Sequence, residues 1–182
     1  MATPAPSLRV YRSGPIVLPS HREPIARLYA RVDALRPPGR PGRGAILFCS
    51  PSLFGASRWF RANLWVDDAK ADVAVREIRL AASDPLVYVY PVAAWERASN
   101  SSSTEADIRV LWAAGVPLAA WAARAAAEGW DPRNWEVLVP LPSVLGARPV
   151  ADARVLASIP ISNWAHGVLE QELKLARRVR RW

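Results

Sequence analysis

The chain predicts an α+β fold, a largely antiparallel sheet or split sandwich with surrounding helices, on three observations. Strand-like apolar runs come in clusters: 45–49, then 73–80 with 86–90, then 135–140 with 149–159. Helical periodicities are inserted between these clusters and do not alternate strictly with single strands, as a parallel βαβ fold would require. At 182 residues and 51% hydrophobic, the chain can bury a core as one domain without disulfide or metal staples.

Each element has a local cause. Residues 8–12 read as a short first strand ended by Ser13-Gly14-Pro15. Over 24–35 the apolar positions Ile25, Leu28, Tyr29, Val32 and Leu35 fall three and four apart and make one helical face. Pro24 suits a first helical turn, and Glu23 sits near the positive end of the helix dipole. Residues 36–44, R-P-P-G-R-P-G-R-G, lack the donors and regularity for helix or strand and predict a flexible basic loop, a lid or a contact with a partner. The strand at 45–49 turns at Ser50-Pro51-Ser52, and Ser52 is placed to cap a helix over 53–64. Asp84-Pro85 marks the turn between the strands 73–80 and 86–90. Residues 98–104 form a polar loop whose Thr104 caps a helix starting at Glu105. That helix breaks at Gly115-Val116-Pro117, resumes to Glu128 and stops at Gly129. After the last two strands, Ser162 or Asn163 caps a basic C-terminal helix over about 162–182. No internal repeat and no linker divides the chain.

The formal net charge is +8, and of the 24 basic residues only Lys70 and Lys174 are lysine. So strong an arginine bias, with abundant Ala and Pro, is also what a GC-rich coding genome produces. The excess is nonetheless concentrated. Residues 8–43 hold eight Arg against Glu23 and Asp33, and Lys174, Arg177, Arg178, Arg180 and Arg181 face only Glu170 and Glu172. Basic clusters concentrate anionic partners, whether nucleic acid or a dinucleotide. Arg40, Arg43, Arg177, Arg178, Arg180 and Arg181 are the expected nucleic-acid contacts, with a solvated basic surface as the plain alternative. Cys49 is the sole cysteine, which excludes an intramolecular disulfide, and His21 and His166 have no partner at ligand spacing, so no metal is expected. The N-terminus lacks an apolar signal core, and Gly115, Pro117 and Arg124 interrupt the longest apolar stretch, 110–127; no membrane partner and a cytoplasmic location are expected.

Three short segments carry chemistry. The first is W-E-V-L-V-P at 135–140, a buried-type strand headed by a carboxylate, Glu136. A buried carboxylate needs compensation, so Glu136 either sits at a solvated strand end or is held there for a purpose. The others are V-Y-R-S-G at 10–14 and the small-hydroxyl strand end I-L-F-C-S-P-S at 46–52. An early strand with Arg, a middle strand ending in Ser and a late strand headed by Glu resembles the ADP-ribosyltransferase superfamily, its Arg-Ser-Glu group. The Glu136 strand and its return, P-L-P-S-V-L-G-A-R-P-V, look like the last strand of DNA-targeting toxins of the DarT type.

The resemblance implies NAD as substrate, with Glu136 as the catalytic carboxylate that stabilises an oxocarbenium-like centre and holds the ribose 2′-hydroxyl. It implies cofactor contacts from Tyr11 and Arg12 in the first strand, and from Ser50 and Ser52 at the second strand's end. Phe54 and Trp59, on the helix that follows, would wall the nicotinamide. A guanidinium at Arg12 would bind phosphate in paired hydrogen bonds. Ser13 intervenes between Arg12 and Gly14, which loosens the match, and the first strand has no histidine. Plain structural uses stand beside these roles: helix capping for Ser52, a turn for Ser50, core packing for the aromatics. Asn134 occupies the place, two residues before the glutamate, where many arginine-modifying members carry a second acid, which disfavours that acceptor. The expected function is transfer of ADP-ribose to a macromolecule, nucleic acid favoured over protein, in a toxin with a protein antitoxin as partner. The alternatives are an NAD glycohydrolase toxin and a non-catalytic basic module that binds DNA or RNA.

Overall fold

In a computed structural model that describes residues 7–18, 23–62, 74–152 and 156, the chain is α+β. The elements in chain order are β1 (Ser7–Ser13), α1 (Glu23–Asp33), β2 (Ile46–Cys49), α2 (Leu53–Ala62), β3 (Ala74–Ala81) and β4 (Tyr88–Pro91). They continue with α3 (Val92–Ala98), α4 (Glu105–Ala113), β5 (Val116–Pro117), α5 (Leu118–Glu128), β6 (Trp135–Pro140) and β7 (Gly146–Asp152). The strands form two antiparallel sheets, ordered β1-β3-β7 and β2-β6-β4-β5.

Period-two alternation sorts the side chains into layers. Val10, Ile78 and Leu80 of the first sheet share one buried cluster with Leu47, Cys49, Val89, Val137 and Val139 of the second, closed by Leu118 and Trp121 of α5. On its other face the second sheet sends Ile46, Tyr90 and Leu138 against Val32 of α1, Trp95 of α3 and Ile108, Leu111 and Trp112 of α4. The first sheet's outer face places Val75 and Val150 against Leu53, Phe54 and Ala56 of α2.

The interruption between α4 and α5 falls where Gly115 and Pro117 require it, and its two residues pair with Val89 and Tyr88 as β5. Thr104 closes a capping box with Asp107, and Gly129 ends α5 in the left-handed region at φ 66°. Two elements differ from expectation. Helix α3 is additional: V-A-A-W-E-R-A is too short to display a period, and it forms because Pro91 turns the chain out of β4 onto buried Trp95. The last strand begins at Gly146, ahead of Pro149, which is tolerated because β7 is an edge strand with a register shift opposite Val75 and Arg76. The expected C-terminal helix at 162–182 lies outside the described residues. Among the described residues no helix is long and apolar enough to cross a membrane.

Candidate functional site

Two of the three sequence segments meet directly. An isolated antiparallel bridge joins β1 to the end of β2: the Tyr11 N–H donates to the Ser50 carbonyl and the Ser50 N–H to the Tyr11 carbonyl, both at 2.7 Å. Beside it, Arg12 is partly buried, with Nη1 donating to the Phe48 carbonyl at 2.9 Å and Nε to the Pro15 carbonyl at 2.9 Å. Burial holds this guanidinium below its usual pKa, against the opposing influence of Cys49. The Ser50 hydroxyl accepts from the Ser52 N–H at 3.1 Å, and the Ser52 hydroxyl accepts from the Gly55 N–H at 3.3 Å, so Ser52 caps α2. A side chain at Gly55 would collide with the Ser50 hydroxyl, so only glycine lets the first turn of α2 seat on it.

The third segment arrives on the neighbouring strand. β6 pairs with β2 so that Val137 opposes Cys49, and the same register continued by one residue sets Glu136 opposite Ser50. Tyr11, Ser50 and Glu136 therefore follow one another across three strands, a backbone span of about 10 Å at ordinary strand spacing. The Glu136 and Arg12 side chains do not share one space. Glu136 is on the Leu138 face of β6, toward α1 and α3, whereas Arg12 turns to the Phe48 carbonyl and the side occupied by Cys49.

Glu136 is 1% exposed, and its Oε2 accepts from Nη1 of Arg43 at 3.0 Å; Arg43 is itself 1% exposed. The Arg43 guanidinium lies 3.8 Å over the Trp95 ring and 5.6 and 5.8 Å from the ring centres of Phe48 and Tyr90. Tyr29 packs on Phe48 and on Trp95 with centroids 5.5 Å apart in each pair. The chamber is thus a carboxylate and a planar cation walled by four aromatic rings. Asp33, at the end of α1, aims Arg43 into it by accepting from the Arg43 N–H at 2.9 Å and the Gly44 N–H at 3.3 Å. A Cβ at Gly42 would stand 2.8 Å from the Asp33 carboxylate, so the turn needs glycine there.

Burial raises the Glu136 pKa, with the Arg43 charge and hydrogen bond pulling it down. Tyr29 is pushed up to about 12, by burial first and then by the Glu136 charge. Burial likewise raises Cys49 to about 12. The pair is incompletely satisfied: among the described residues, Nε and Nη2 of Arg43 and Oε1 of Glu136 are buried without hydrogen-bond partners. Buried polar atoms are nearly always paired, so three orphans in one chamber mark it as unusual.

Tyr11, Arg12, Ser50 and Ser52 are brought together, and Glu136 reaches them through the backbone register alone. Phe54 is elsewhere, packed with Val75 and Val150 beneath the first sheet. The Trp59 side chain and residues Arg177, Arg178, Arg180 and Arg181 lie outside the described residues. The expectation of surface phosphate contacts from 36–44 is corrected at two positions. Arg43 is buried against Glu136, and Arg40 donates to the Tyr90 hydroxyl and the Gly115 carbonyl, both at 3.2 Å, with its guanidinium 3.9 Å over Tyr88. Ring faces and a buried carboxylate draw both cations inward. Sequence reasoning missed the Arg43 partnership and the rings of Tyr29, Phe48, Tyr90 and Trp95; no spacing rule links residues 93 apart.

No protein-family model matches the chain, and no curated protein or solved structure matches it.

Proposed function

We propose that the chain is an NAD-dependent ADP-ribosyltransferase with a split-sandwich core, nucleic acid being favoured over protein as acceptor. The observation that carries this reading is the Tyr11–Ser50 bridge one residue beyond the ladder that joins β2 to the Glu136 strand, next to a buried carboxylate with an oxygen unpaired among the described residues. Ser50 would steady the nicotinamide ribose, while Arg12, turned to the Cys49 side of the sheet, is given no contact with the same NAD. Glu136 would hold the ribose 2′-hydroxyl and offset the positive charge that develops at C1′. The C1′–N bond breaks and its electron pair leaves with neutral nicotinamide. An acceptor oxygen or nitrogen then bonds to C1′ and releases its proton to solvent; with water as acceptor the same step is NAD hydrolysis.

For a ribose to reach Glu136, Arg43 must leave the chamber, since the carboxylate is closed off while the two are paired. A planar aromatic cation such as the nicotinamide ring of NAD suits the ring-walled space that a guanidinium fills here. The sealed pair equally favours a second reading, in which Arg43 and Glu136 are structural and the chain is a non-catalytic basic module.

Glu136→Gln separates the two. The amide keeps the shape and still accepts from Arg43, but carries no charge. Nicotinamide release from NAD is expected to fall by at least roughly 100-fold while the thermal melt stays cooperative. Equal turnover in the variant would remove Glu136 from the reaction and defeat this reading of the site, and no release by the unmodified protein with DNA, RNA and protein all supplied would establish the non-catalytic reading. Labelled NAD offered to the same panel identifies the acceptor.

A further inference from the structure

The outer face of the first sheet is only half covered. Helix α2 packs on the end that holds Val75 and Val150, while the end formed by Ser7, Ala81 and Gly146 carries Arg9, Glu77, Arg79 and Arg148. These side chains, with Gly146 and Ala147, line an open cleft of about 380 Å³. Its three guanidinium groups against one carboxylate leave a formal charge of +2.

The arrangement runs against sheet stability. Arg9 and Arg79 are direct cross-strand partners, a like-charge pairing that destabilises a ladder. Glu77 relieves it on one side only: its carboxylate meets Arg9 at 3.5 Å and Arg148 at 2.8 Å. Arg79 is exposed, and its guanidinium has no ion pair or hydrogen bond among the described residues. Opposite it stands Gly146, with no side chain to fill the space; a Cβ there would lie in ordinary contact, 3.5 Å from Nη2 of Arg79. Arg79 is thus an unneutralised cation kept open over a cleft and flanked by two more arginines.

We infer that this face binds the phosphodiester backbone of a nucleic acid, with Arg79 as the principal phosphate contact and Arg9 and Arg148 beside it. Among the described residues no aromatic ring lines the cleft, so recognition there is by backbone charge without sequence preference. A chain with a net charge of +8 adds long-range attraction for a polyanion. The inference deepens the acceptor side of the reading above. The face is built from the end of the first sheet that α2 leaves uncovered, apart from the Glu136 chamber, so it is tested without NAD.

The test is fluorescence anisotropy of the full chain with a labelled single-stranded DNA oligonucleotide across a salt series. Arg79→Ala is expected to weaken binding several-fold and to lower the slope of log affinity against log salt by roughly 0.7–0.9. Arg79→Lys keeps the charge and retains most of the affinity. Arg109→Ala, which removes the same charge from an exposed position on α4, stays within about twofold of the unmodified protein. The binding series contains no NAD, so a failed NAD assay and a failed binding assay are told apart. The inference is overturned if the unmodified protein does not bind, if Arg79→Ala and Arg109→Ala behave alike, or if polyglutamate competes as well as DNA at equal charge.

Discussion

Removing Arg43 tests the centre of this structure most severely. Arg43→Met keeps an unbranched chain of similar reach against Trp95 and leaves Glu136 without its counter-charge. At the observed 3.0 Å, two unit charges attract by about 5 kcal/mol at an effective dielectric near 20. Desolvating both groups offsets much of that, so the intact pair contributes little net stability. The variant is different, because desolvation of Glu136 persists and the attraction does not. The expected loss is about 3–5 kcal/mol, a large share of the 5–15 kcal/mol that typical domains possess. A domain of this size would then melt roughly 10–15 °C lower. The loss must also depend on pH. Burial raises the folded-state pKa of Glu136 above its ordinary 4.5, so the folded protein holds a proton that the unfolded chain has released, and stability declines as pH rises above 4.5. Without Arg43 the folded-state pKa is raised further and the decline runs to higher pH, so the deficit of the variant is greatest near neutrality and shrinks toward pH 4.5. Urea unfolding at several pH values measures it, and the double variant Arg43→Met/Glu136→Leu should recover most of the stability. A deficit of no more than about 1 kcal/mol, as an exposed pair would give, or one independent of pH, would refute the buried-pair account.

Two further outcomes follow from the core. Burial lifts the Cys49 thiol from 9.0 to about 12, so its contribution is intact below pH 9 and lost as pH climbs toward 12, at about 1.4 kcal/mol per unit. Cys49→Ala should flatten the alkaline limb of a urea series, and an unchanged slope would contradict it. At Gly115 an added Cβ meets Nη1 of Arg40 and the ring of buried Tyr90, whose Cζ would stand 2.6 Å away. Gly115→Ala is expected to lose about 1–3 kcal/mol by overpacking, and an unaltered melt would show that this turn yields freely.

The elements readable from the chain alone are those with short-range causes. Apolar positions three and four apart mark α1, Thr104 caps α4, and Gly115 with Pro117 divides α4 from α5. Gly129 halts α5 because a left-handed residue satisfies the helix end without strain. Such preferences act within a turn or two of the backbone, so one stretch of sequence contains all of their physics. Helix α3 escaped because seven residues hold too little periodicity, and packing of Trp95, more than propensity, stabilises it. The candidate site divides in the same way. Glu136, Arg12 and Ser50 stand out as residue types in strand-end positions, but which face of β6 the carboxylate uses depends on its register with β2 and β4. Its neutralisation by Arg43, ring contacts included, depends on Asp33 turning a proline- and glycine-rich segment inward. A buried charge is settled by whatever the whole fold brings within a few ångströms of it, and that distance is a property of the assembled sheets and helices.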